Sequence, residues 1–126
     1  MPGPWVAPGT YTIRLVAGGR TLEQRVEVRE DPRIDISAAE RRQWSEAVQQ
    51  VTALVREFAP VNDRIQKMGG TGADVADLKR QSRELLSRIT GLYGAITRWT
   101  GAPTRDQQSR LAYYQQMAKT LSSRAQ

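Results

Sequence analysis

The chain has no cysteine and no histidine, and these two gaps exclude more chemistry than any residue present suggests. Without a thiol there is no disulfide framework, no sulfur nucleophile and no thiolate metal site. Without an imidazole, zinc sites and histidine-based acid–base catalysis are excluded as well. Carboxylates, Lys, Tyr and hydroxyls are left as the candidate chemistry. The redox compartment stays open, because exported bacterial-type domains also dispense with cysteine. Aromatic residues are few, at 6% with a single Phe, and the apolar share is a low 39%. In 126 residues there is room for one core but not for a second independent domain. Long hydrophobic runs are missing too. Met1 is followed by no apolar stretch of secretory or transmembrane length, so a soluble chain without a leader and without membrane insertion is expected.

The formal charge is +6, and its distribution matters more than its size. Residues 1–33 hold five basic and four acidic side chains, and residues 34–68 hold five of each. Residues 69–101 hold five basic and three acidic, and residues 102–126 hold four basic against Asp106 alone. Lys79, Arg80 and Arg83 make the one tight cluster, with Asp77 and Glu84 beside it. Together with Arg105, Arg110 and Lys119 they are the candidate contacts for nucleic acid or another polyanion. Nucleic-acid binders concentrate Lys and Arg along a phosphate track, however, and this mild C-terminal bias reads first as a solvated face.

What is present divides near Asp31-Pro32. Before it the residues alternate with period two. Pro8-Gly9 signals a turn, and Tyr11, Ile13 and Leu15 share one face of the strand that follows. Ala17-Gly18-Gly19-Arg20 supplies a reversal, after which Leu22, Val26 and Val28 return on one face and Glu23, Arg25 and Glu27 on the other. Such a hairpin is marginal alone in water, so its apolar face must cover the helices or further strands. Trp5 is expected to pack over the hairpin end.

After Asp31-Pro32 the period becomes helical. Ser37 and Glu40 have capping-box spacing. Trp44, Val48, Val51, Val55, Phe58, Ile65 and Met68 then form a stripe widened by Ala47, Leu54 and Val61 and interrupted at Asn62. Pro60 inside this stripe predicts a kink or a break between two shorter helices near residues 57–60. Gly69-Gly70-Thr71-Gly72 follows a helix and lacks a Lys-Ser/Thr sequel, so it is a turn and not a phosphate loop. A second helix begins near Asp74, with Val75, Leu78, Ser82, Leu85, Ile89, Leu92, Ile96 and Trp99 in heptad spacing. It pairs antiparallel with the first. Gly91 and Gly94 are expected to admit a neighbouring element closely. Thr104 and Gln107 repeat the capping box before a third, shorter helix with Leu111, Tyr114, Ala118 and Leu121, frayed from Ser122 onward. Of the pair Tyr113-Tyr114, one ring is expected to pack and the other to be exposed. Asp74 and Asp77 offer too few oxygen ligands for a cation and read as helix-start charges. The fold class is therefore α+β: an N-terminal β-hairpin, a long antiparallel helical hairpin and a shorter third helix.

The run from Trp5 to Leu15, the return Val26-Glu27-Val28 and the exit Glu30-Asp31-Pro32-Arg33 resemble the closing strands of the C-terminal module in large bacterial β-propeller proteins. These carry sortilin-like or sialidase-type BNR repeats and are often called glycosyl hydrolases. Leu92-Tyr93-Gly94, and Ala102-Pro103-Thr104 with Gln107 and Gln108, are similar to the helical tail of the same proteins. The resemblance implies that residues 1–33 are the remnant of an immunoglobulin- or fibronectin-III-like β-sandwich and that residues 34–126 are a helical module. It also implies an accessory region of an exported protein, periplasmic or extracellular, with the propeller as the seat of any substrate binding. No catalytic, cofactor-binding or metal-binding residue follows for this chain. The expected function is a non-catalytic structural or protein-interaction module. Its partner is an upstream propeller or β-sandwich domain, or another copy joined through the hairpin. A stand-alone basic binder is the alternative, and a carboxylate-dependent hydrolase is the weakest reading, since no convergent acid pair is evident.

Overall fold

In the computed structural model, which describes residues 6–70, 72–99 and 101–125, two strands precede three helices. The strands are β1 (Gly9–Ala17) and β2 (Arg20–Val28), and the helices are α1 (Ala38–Lys67), α2 (Ala73–Thr97) and α3 (Arg105–Arg124). Trp5 lies outside the described residues, as does Thr71 of the glycine-rich link.

The strands pair antiparallel around a two-residue loop, with Ala17 opposite Arg20 and Leu15 opposite Leu22. Both loop residues have positive φ, 54° at Gly18 and 72° at Gly19. That is the primed turn geometry whose twist matches the flanking strands, and only glycine adopts it cheaply. Directly opposed residues share a face, so Tyr11, Ile13, Leu15, Leu22, Val26 and Val28 line one side with Gln24. Arg14, Glu23, Arg25 and Glu27 line the other.

Ser37 caps α1 in a complete capping box, its side chain accepting from the Glu40 amide while Glu40 reaches back to the Ser37 amide. From Trp44 to Ile65 the apolar stripe is buried, with Val51 and Ile65 at 0% exposure. Pro60 does not break the helix: α1 continues through it to Lys67. Phe58 and Val61 on either side are both buried, and each large apolar side chain buried contributes about 1.5–3 kcal/mol. That offsets the roughly 3 kcal/mol cost of an interior proline. Pro60 and Arg56, whose carbonyl loses its amide partner, are both on the exposed side, where water can serve the freed group.

The seam of α2 follows the heptad spacing. Leu78, Ser82, Leu85, Ile89, Leu92 and Ile96 are buried against α1 and α3. The polar positions that interrupt the two stripes meet, the Ser82 hydroxyl donating to Asn62 Oδ1 at 2.6 Å. Two expectations for this helix fail. Trp99 is 67% exposed, because α2 ends at Thr97 and the heptad spacing has no helix to carry it further. Its indole lies over Gly101, where a β-carbon would fall 2.4 Å from Nε1. At Gly91 and Gly94 a β-carbon would meet open space, so these glycines do not admit a neighbour. α3 docks through Leu111, Tyr114, Ala118 and Leu121 on the groove of the first two helices. It stays helical through Arg124, past the expected fraying point at Ser122, and Arg124 donates to Gln81 of α2 at 3.2 Å.

Candidate interaction surface

The three helices satisfy one another, but the hairpin does not join their core. Neither strand packs along a helix, and β2 meets the bundle at its Val28 end alone, across a cleft from Trp44. The apolar face is consequently open: Ile13 is 57% exposed, Leu15 58% and Leu22 64%. Only its far end is partly covered, with Tyr11, Val26 and Val28 half-buried and the Tyr11 hydroxyl donating to the Ala7 carbonyl at 2.6 Å. An apolar sheet face left in water is the kind of surface that marks a contact site.

One polar chain ties the exit of the hairpin to the helices. Glu30 forms an ion pair with Arg41 near the start of α1. The Arg41 guanidinium sits 5.0 Å above the Trp44 ring, and Trp44 Nε1 donates to the Ile96 carbonyl at the end of α2 at 2.9 Å. Arg41 is 14% exposed at its side chain, so this pair is far less screened than the surface pairs elsewhere. Beside it, Val6, Pro8, Val28, Ile34 and Trp44 line a cleft of about 370 Å³ between the strands' open end and the bundle. No signal in the sequence reveals this linkage. Glu30 and Arg41 lie eleven residues apart across an irregular connection, and no periodic rule relates them.

Several carboxylates are held by local hydrogen bonds. The Arg33 guanidinium and amide hold the Asp31 carboxyl below the usual carboxylate range, and the Ser37 hydroxyl and amide do the same for Glu40. Both shifts oppose what a general acid needs. Asp77 accepts from Arg80 and from Gln81, each at 2.5 Å. Among the described residues no group of three or more acidic side chains is placed to hold a metal ion, and no helix is long and apolar enough to cross a membrane.

The six basic candidates fall on two helices, Lys79, Arg80 and Arg83 within one stretch of α2 and Arg105, Arg110 and Lys119 along α3. Arg80 is paired with Asp77 and Glu84, and Arg110 with Asp106 at 2.9 Å. Arg83 is exposed and Lys79 half-buried on α2, while Lys119 borders the groove between α1 and α3. Arg105 and Lys119 lie fourteen residues apart on α3, which at 1.5 Å per residue is about 21 Å. As expected for the tyrosine pair, Tyr114 is buried at 6% and Tyr113 exposed at 58%. No protein-family model, curated protein or solved structure matches this chain.

Proposed function

We propose that the protein is a non-catalytic interaction module in which a three-helix bundle carries a two-stranded sheet whose apolar face docks on a β domain. The open face formed by Ile13, Leu15 and Leu22 carries this reading, since these side chains are more than half exposed on an otherwise regular hairpin. The Glu30–Arg41–Trp44 linkage supports it, because it ties the hairpin exit to a packed bundle and limits the directions in which the face can point. We further propose that the docking partner is an upstream β-propeller or β-sandwich domain of the same polypeptide. The chain would then be the C-terminal accessory region of an exported protein of the BNR-repeat kind, in keeping with the resemblance of its strands and helical tail.

The test begins with the reading frame upstream of Met1. A continuous frame encoding β repeats is expected. Hydrogen exchange on that longer polypeptide should show residues 11–15 and 22–28 slowed relative to the 126-residue chain, and more so than residues 78–89. A stop codon immediately upstream, or a longer polypeptide whose hairpin exchanges as fast as before, would overturn the proposal.

A further inference from the structure

We infer that the unpaired edge of β2 is built to pair antiparallel with β2 of a second copy of this chain, joining two hairpins into one four-stranded sheet. This rests on the reading of the hairpin as a docking element and names the occupant of its edge. Among the described residues β2 pairs with β1 alone and no helix packs along it, so its outer edge carries no further strand.

The orientation of that edge follows from the turn. Ala17 and Arg20 close the two-residue loop, and the i to i+3 bond of such a turn makes them a hydrogen-bonded pair. Alternation along an antiparallel ladder then points the amides of Leu22, Gln24 and Val26 toward β1, and those of Glu23, Arg25 and Glu27 outward. The residues that offer free backbone groups are therefore the ones whose side chains form the charged face.

Those charges alternate, and the alternation is self-complementary. When β2 pairs with its copy over its full length, centred on Gln24, Glu23 of each copy stands opposite Arg25 of the other. Leu22 stands opposite Val26 on the apolar side. Sliding the register by two residues sets Arg25 against Arg25 and Glu23 against Glu27, or in the other direction Glu23 against Glu23. A slide of four restores opposite charges but leaves only residues 24–28 paired. Like charges directly opposed are destabilising and opposite ones favourable, so charge and length select the same register. Edge charges usually discourage pairing with a foreign strand; here the Glu-x-Arg-x-Glu order discourages most sequences and favours its own. The symmetry axis stands perpendicular to the sheet, as in an isologous contact. Both apolar faces consequently emerge on the same side and form one doubled platform.

Sedimentation equilibrium of the full chain tests this, with circular dichroism confirming that each variant keeps its helices. The wild type should approach twice its 14.1 kDa chain mass as concentration rises. Glu23→Arg and Arg25→Glu should each weaken association about tenfold or more, since both symmetric contacts become repulsive. An equimolar mixture of the two variants should associate again, because each supplies the charge the other lacks, and the double exchange E23R/R25E should do likewise. A wild type that stays monomeric up to about 1 mM would overturn the inference, as would single variants that associate like the wild type, or a mixture that does not recover. Protection of the hairpin by a preceding β domain, found together with a monomeric chain, would remove the second copy and leave the docking reading intact.

Discussion

Two side-chain pairs show how single residues set this structure. Asn62 and Ser82 are the polar breaks in two apolar stripes, and they sit opposite one another with Ser82 at 0% exposure. Asn62→Leu leaves a buried hydroxyl without its acceptor and should cost about 1–3 kcal/mol, whereas Asn62→Leu with Ser82→Ala should recover most of that loss. Urea unfolding of the two singles and the double decides it: strictly additive losses would show that the bond contributes nothing specific. Glu40 gives a pH signature. The bonds from Ser37 lower its folded pKa, so its contribution is complete above the unfolded value and is lost as pH falls through the folded one. Glu40→Gln keeps an acceptor in the capping box but cannot titrate. The wild type should therefore melt above E40Q at about pH 7 and converge with it once acid has protonated Glu40 in the folded chain, and a gap that persists after that protonation would contradict this.

At the scale of elements, each helix is a seam that needs the other two. Leu85 lies in the middle of α2 at 4% exposure. Leu85→Ala should cost about 2–5 kcal/mol, and a loss below about 0.5 kcal/mol in urea unfolding would contradict its central position. The elements are legible in the sequence because each rests on a local rule. The period-two alternation, the glycine pair in the loop, the two capping boxes and the three-four spacing all act within a few residues. Beyond that range the same rules fail. The heptad spacing includes Trp99, two residues past the helix end. Pro60 reads as a kink or a break because its local cost is visible in the sequence, while the burial of Phe58 and Val61 that keeps the helix continuous is a property of the packed bundle. Gly91 and Gly94 suggest close approach although nothing comes near them. The Glu30–Arg41–Trp44 contact is hidden for the same physical reason, since it joins an irregular segment to a helix and leaves no periodic trace. Of the candidate surface, the apolar face is legible from alternation. That it stays uncovered depends on where the whole hairpin points.

At the scale of the molecule, the protein divides into a bundle that buries its own apolar surface and a hairpin that does not. The bundle has caps at the starts of α1 and α3 and a continuous core. The hairpin has cross-strand bonds, a surface ion pair between Arg14 and Glu23 at 2.7 Å, and a polar attachment at its exit. Exposed pairs of that kind contribute about 0–1 kcal/mol, so stability should differ sharply between the two parts. Native-state hydrogen exchange on the 126-residue chain, held at low concentration so that copies do not associate, measures this directly. Amides of residues 78–89 should exchange only through global unfolding, with opening free energies equal to that of the whole chain. Those of residues 11–15 and 22–28 should exchange through local opening at a clearly lower free energy and with weak denaturant dependence. Strand amides as protected as those of α2, and lost in the same cooperative step, would show that the hairpin is part of the core and would contradict the account of it as an open docking element.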